Sequence, residues 1–163
     1  MEEVVFTGEE RYISIDPGLS TGWATFRANG DLIRTGTLRN GAEQLYPFLR
    51  RLSVALMEND WKPLDVIVEN YRLYPWKAMQ QSWASLETVR FIGAVDFWAK
   101  LHEYNVHLQD PNIKGIGYKW AGITVPKNHD LSHETDAFVH GVYFLQRAGI
   151  RKPMQGRANG TPM

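Results

Sequence analysis

The dipeptide Asn29-Gly30 separates two stretches of strand character, Gly22–Ala28 and Asp31–Leu38, and no other short feature constrains the fold as much. Asn-Gly reaches positive φ at little cost, so it predicts a two-residue hairpin turn whose twist matches its flanking strands. A third alternating stretch precedes the pair. In Tyr12–Asp16, Ile13 and Ile15 alternate with polar neighbours, as a half-buried strand requires. An antiparallel three-strand meander is the expected product.

The pattern changes after Asn40-Gly41. Leu45, Phe48, Leu49, Leu52 and Leu56 recur at helical spacing and predict a helix to about Asn59. Pro47 leaves the start of that helix open. The run "LDVIVE", Leu64–Glu69, is short, apolar and β-branched, and reads as a buried strand. The loop "NYRLYPWKAMQQSW" leads into a helix from about Ser82 to Leu101, and Val106–Gln109 reads as a fifth strand stopped by Asp110-Pro111. "NIKGIGYKWAGITVPKNHD" reads as a Gly- and Lys-bearing loop with one helical turn, and a last helix spans about Ser132 to Arg147. There is no internal repeat. A strand meander followed by helix–strand alternation predicts an α/β fold. Its mixed five-stranded sheet has helices on its faces and its later strands parallel to the first.

The 163 residues fit one domain, assigned to 1–151, with a tail over 152–163 whose composition predicts disorder. The first ten residues hold four Glu and no base, the wrong charge for a secretory signal. No apolar run approaches the roughly 18 residues of a membrane span. An intracellular, soluble, cytoplasmic protein is expected, in the host cytoplasm if the chain is viral. There is no cysteine, so disulfide scaffolds and zinc–thiolate sites are excluded. A metal would be held by oxygen or imidazole, which suits hard cations such as Mg²⁺ or Mn²⁺. Net charge is zero, but the sequence from Asn70 to Leu86 and from Ala137 onward contains bases and no acid. Basic flanks around an acidic centre can bind a polyanion.

Asp16 ends the first strand and Glu69 the fourth. If those strands are parallel neighbours, both carboxylates emerge at the strand edge where α/β sheets place ligands. Two such acids repel, and a divalent cation between them removes the conflict. In "SHETDA", His133 and Asp136 share a helix face, and His140 lies one further repeat along it. Glu134 points elsewhere. Asp16, Glu69, His133 and Asp136 are the candidate ligands for two cations, which in such pairs lie about 3.5–4 Å apart and clamp an in-line phosphoryl displacement. Taken singly, Asp16 before Pro-Gly is a common turn former, and Asp136 a helix-start charge. The combination is what points to chemistry.

"ISIDPGLSTGWATF" resembles the opening of the RuvC family of Holliday junction resolvases. "DVIVEN" is similar to that family's second motif, "SLETVRFIGAV" to its central helix, and "HETDAFVHGVYFL" to its last. The resemblance runs from about Tyr12 to Leu145. It implies an RNase H-like fold, a homodimer, and a nuclease that resolves four-way DNA junctions by paired nicks with two Mg²⁺ or Mn²⁺ ions. It places the catalytic acids at Asp16, Glu69 and Asp136, with His133 at a position where the family uses Asp or His. A viral or phage-type relative fits the same pattern. Two features depart from it. The loop after Glu69 is longer and more aromatic, and the bases that hold the scissile strand are not cleanly matched, Lys114, Lys119 and Lys127 all being candidates.

That loop places Tyr71, Tyr74, Trp76 and Trp83 beside Arg72 and Lys77. The aromatics serve equally as a hydrophobic lid or contact between subunits, or as platforms for unpaired bases at about 1–3 kcal/mol each. Tyr71 and Tyr74, nearest to Glu69, are the candidates for a wedge at a branch point. Two other functions share the fold: a ribonuclease H acting on RNA–DNA hybrids, and a non-catalytic DNA-binding module. A sugar-kinase type of phosphate site needs two such domains, more than this length allows.

Overall fold

The computed structural model describes residues 4–59, 64–71, 83–125 and 132–152. Five strands form one sheet: β1 (Tyr12–Asp16), β2 (Thr21–Phe26), β3 (Leu32–Leu38), β4 (Asp65–Glu69) and β5 (Asn105–Gln109). Their spatial order is β3-β2-β1-β4-β5. The first three are antiparallel, whereas β4 and β5 run parallel to β1. The expected meander and the parallel half are both present.

Alternation along the strands sorts their side chains into two layers. Ile13 and Ile15 of β1, Trp23 of β2, and Val66 and Val68 of β4 pack beneath α1 (Gly41–Glu58) and α2 (Trp83–Leu101), together with Leu45, Phe48, Leu52 and Leu56 of α1. Ala24 and Phe26 of β2 pack on the other face, against α3 (Lys114–Ala121) and α4 (Ser132–Arg147). The result is a three-layer α/β/α sandwich. Among the described residues, no helix is long and apolar enough to cross a membrane.

Two local readings are corrected, and one left open is filled in. The hairpin between β2 and β3 is not a two-residue turn. The Arg27 amide donates to the Asp31 carbonyl and Gly30 N–H to the Arg27 carbonyl, each at 2.9 Å, so three residues form the loop. Gly30 takes the left-handed conformation at φ 83°, as a type I turn with a bulge requires. The helix start that Pro47 left open is at Gly41, which places Pro47 in the early part of α1. The missing amide bond is outweighed by a buried stripe from Leu45 to Leu56. Finally, the segment after Asp110 is more than one helical turn. A 3₁₀ turn over Pro111–Ile113 runs directly into α3, which ends at left-handed Gly122. Of the tail expected over 152–163, residues 153–163 lie outside the described residues.

Candidate active site

The two strand-end carboxylates are neighbours because of strand register. Parallel pairing sets Ile15 of β1 beside Val68 of β4, so the residues that follow, Asp16 and Glu69, leave the sheet side by side. Period-2 alternation turns both away from the α1/α2 layer and toward α4. Their carboxyls lie within hydrogen-bonding reach of one another. Gln109, paired with Glu69 in the β4–β5 ladder, stands on the same side.

The start of α4 comes in over this edge. Gly22, the partner of Asp16 across β1–β2, has no side chain, and the backbone carbonyl of His133 fills the space where one would be. That approach puts His133 Nδ1 3.1 Å from Asp16 Oδ2. One turn on, Asp136 faces α3, where it accepts from Lys114 Nζ at 2.8 Å and from Tyr118 Oη at 2.6 Å. The same ammonium lies 2.8 Å from Glu69 Oε2. A further turn along, wholly buried His140 is clamped between Gln109 Oε1 at 2.7 Å and Glu69 Oε2 at 3.1 Å. Glu134 leaves the cluster and accepts from the Thr35 hydroxyl on β3.

All four expected residues, Asp16, Glu69, His133 and Asp136, are therefore together. Lys114 is at the centre of the cluster. Lys119 is exposed on α3, and Tyr71 is half-buried two residues beyond Glu69. Arg72, Tyr74, Trp76, Lys77 and Lys127 lie outside the described residues. Sequence reasoning missed Tyr118 and Gln109 and left His140 without a partner. The available signal was the i, i+4 spacing of Lys114 and Tyr118, which has meaning only on a helix.

Burial and mutual charge set the electrostatics. Burial raises the Asp16 carboxyl to about 6; the His133 hydrogen bond opposes the rise and the charge of Glu69 adds to it. Burial also pushes on Glu69, but hydrogen bonds from His140 and Asp16 and the charge of Lys114 outweigh it and hold Glu69 at about 2. Burial opposes the Lys114 charge as well, yet the Asp16 and Glu69 carboxylates keep the ammonium protonated far above the ordinary lysine range. The hydrogen bond to Asp16 raises His133. Tyr118 is raised by burial and by its bond to Asp136. The two neighbouring carboxyls are thus pushed apart, with Asp16 holding its proton to a higher pH than Glu69.

Three carboxylates and an imidazole, with no thiolate, form a donor set for hard divalent cations. The Lys114 ammonium between Glu69 and Asp136 marks where positive charge is favoured. Among the described residues no group of three or more acids or imidazoles is placed to hold a metal ion, and the Lys114 ammonium stands between Glu69 and Asp136. An ion there would displace the ammonium.

No family model matches the chain, and the comparison with curated proteins finds no match. Solved structures do match. A Thermus thermophilus RuvC in complex with Holliday junction substrate aligns at a TM-score of 0.57 and 19% identity, over 88% of this chain and 99% of that one. A second Thermus thermophilus RuvC structure gives 0.56 at the same identity and coverage. At this identity the likeness is one of fold, and the fold of this chain is RNase H-like.

Proposed function

We propose that the chain is a divalent-cation-dependent endonuclease that resolves four-way or branched DNA by paired nicks. The observation that carries this reading is the convergence of Asp16, Glu69 and Asp136, from two parallel strands and the last helix, on one buried point that already attracts a cationic group. The fold likeness to a RuvC bound to a Holliday junction supports the choice of DNA.

Two Mg²⁺ or Mn²⁺ ions held by Asp16, Glu69, His133 and Asp136 would neutralise charge on the phosphoryl group and its leaving oxygen. Asp16, lying against both Glu69 and His133, is suited to the shared position between them. His140, fixed by Gln109, holds Glu69 in orientation, and Tyr118 does the same for Asp136. His133 holds Asp16, or takes the proton released by the attacking water. Hydrolysis adds water across the P–O3′ bond and leaves a 5′-phosphate and a 3′-hydroxyl. Lys114, once displaced from its carboxylates, is within the site to pair with a phosphate oxygen. Tyr71 and the aromatic loop beyond it are candidates to stack on opened bases. Arg72, Tyr74, Trp76, Lys77, Lys119 and Lys127 are further candidate contacts.

A homodimer would supply two sites for paired nicks. Support for it comes from α2, which is apolar on both sides. Phe91 and Val95 are buried on the sheet, while Phe97 and Leu101 are 70% and 68% exposed on an apolar groove of about 590 Å³ against α1. The charges beside it alternate in sign, Glu87 with Arg90 and Asp96 with Lys100, which fits a second copy of the same surface better than a polyanion.

The decisive assay incubates the protein with four-way junction, flap, duplex and RNA–DNA hybrid, with and without Mg²⁺ or Mn²⁺. Junction cleavage that needs the cation, and that Asp16→Asn abolishes while junction binding persists, is the expected result. Cleavage of the hybrid alone makes the protein a ribonuclease H. Binding without cleavage under any cation makes it a DNA-binding module.

A further inference from the structure

A cleft of about 1100 Å³ lies between β3 and α1, on the α1/α2 side of the sheet. Its floor is the Trp23 indole, which lies over Gly36 of β3. Three arginines line it, Arg34 and Arg39 from the β3 region and Arg51 from α1, and among the described residues no carboxylate does. None of the three pairs with an acid among the described residues. Arg34 donates to the Val5 carbonyl at 3.3 Å. In a chain of zero net charge, three guanidinium groups around one concavity, with no acid partner among the described residues, are a concentrated positive field, and concave walls focus it.

The cleft also has a defined relation to the carboxylate cluster. The chain leaves Leu38 at the same end of the sheet as Asp16, because β2–β3 pairing sets Leu38 opposite Thr21 and β1–β2 pairing sets Asp16 opposite Gly22. There the Gly41 amide donates to the Leu19 carbonyl at 3.0 Å, joining the mouth of the cleft to the loop that follows Asp16. A strand crossing the cluster would pass this contact, reach Arg39, and continue over Arg51 and Arg34.

We propose that this cleft binds the sugar–phosphate backbone of a duplex DNA arm leading away from the cleavage site, with Arg34, Arg39 and Arg51 each on a phosphate. Guanidinium matches phosphate geometry bidentately, and the sequence indifference of such contacts suits an arm whose sequence varies. Only the choice of DNA as the polyanion rests on the nuclease reading above. The bland alternative is that β3, an edge strand, carries Arg34 to prevent edge-to-edge association. It leaves Arg39 and Arg51, beyond the strand and on α1, without a role.

The test measures binding of a fluorescent duplex and a four-way junction in EDTA across a salt series. It uses the wild type, the Arg34→Ala/Arg39→Ala/Arg51→Ala variant, and the corresponding triple lysine variant. Each lost phosphate contact lowers the slope of log K against log salt by about 0.9. The alanine variant should thus lose two to three units of slope and more than about tenfold in affinity near 0.1 M salt, with the lysine variant close to wild type. Cleavage by the wild type with unchanged slope and affinity in the alanine variant overturns the cleft and leaves the nuclease intact. So does self-association of the alanine variant with DNA affinity unchanged. Arginine-dependent DNA binding by a protein that cleaves nothing overturns the nuclease reading and leaves the cleft standing. No binding to either DNA by the wild type overturns both.

Discussion

The carbonyl of His133 occupies the space that a β-carbon on Gly22 would fill. Gly22 is paired with Asp16, so this one missing side chain lets the start of α4 bring His133 and Asp136 down onto the strand-end carboxylates. Backbone meets the added atom, so Gly22→Ala must move the helix rather than a flexible side chain. Overpacking of this kind costs about 1–3 kcal/mol. The expected result is a lower unfolding midpoint together with loss of cation-dependent cleavage. A variant that is less stable yet fully active would show that the approach of α4 serves packing alone.

Lys114 neutralises Glu69 and Asp136 at 2.8 Å each, and a divalent cation would compete with it. Lys114→Met removes the ammonium and leaves the carboxylates facing one another. In EDTA the variant should be less stable than the wild type, because unpaired buried charge is costly. Mg²⁺ should then raise its unfolding midpoint by more than it raises that of the wild type, since no ammonium has to be displaced. Equal Mg²⁺ shifts in the two proteins would mean that the ion does not bind where Lys114 stands. Loss of the shift in the variant would make the lysine a requirement for cation binding.

Much of this cluster was legible in the sequence because its determinants are local. Strand alternation ending on Asp16, a short apolar run ending on Glu69, and helical spacing of His133, Asp136 and His140 each need only a few consecutive residues. The last helix has the bounds that its periodicity predicts, Ser132–Arg147. What was not legible depends on partners distant in sequence. Gly115 and Gly117 weaken helix propensity in "KGIGYKW", so α3 reads as a loop. Yet Gly117 is where α3 packs closely on Val139 of α4, and this contact lets Lys114 and Tyr118 reach Asp136. The Gln109–His140–Glu69 chain likewise needs the β4–β5 register, which no local pattern reveals.

The site predicts an unusual pH dependence of stability in EDTA. Asp16 is raised from its usual 3.8 to about 6. A raised carboxyl favours the folded state in its protonated form, so its contribution is full below 3.8 and is lost as pH climbs through 6. His133, also raised, acts in the same direction: its contribution is present below 6.5 and lost as pH rises through the folded value. Glu69, lowered from 4.5 to about 2, contributes fully above 4.5 and is lost only as pH falls toward 2. Between pH 5 and 8 the first two decide, and the unfolding midpoint in EDTA should fall as pH rises. A bound cation prefers the deprotonated carboxylates, so the Mg²⁺-induced shift should be larger at pH 8 than at pH 5. Asp16→Asn should flatten the EDTA profile. A midpoint that rises with pH in the wild type would contradict the raised Asp16 carboxyl.

The exposed face of α2 gives a test of paired nicking that leaves the carboxylates untouched. Phe97 and Leu101, with Tyr46 and Met57 of α1 at 72% and 63% exposure, form an apolar surface of the kind that subunit association covers. Burying Phe97 against a second copy would contribute about 1.5–3 kcal/mol per subunit by area alone, and a carboxylate in its place would remain unpaired in the interface. Phe97→Asp should therefore convert a dimer to a monomer in sedimentation without lowering the unfolding midpoint of the monomer, since the side chain touches solvent rather than core. On a four-way junction with both strands labelled, the wild type should cut the two strands nearly together. The variant should accumulate singly nicked junction and retain cation dependence. Sedimentation of the wild type as a monomer, or paired cleavage by a monomeric variant, would remove the dimer from the mechanism and leave the chemistry at Asp16, Glu69 and Asp136 to be judged by the cleavage assay alone.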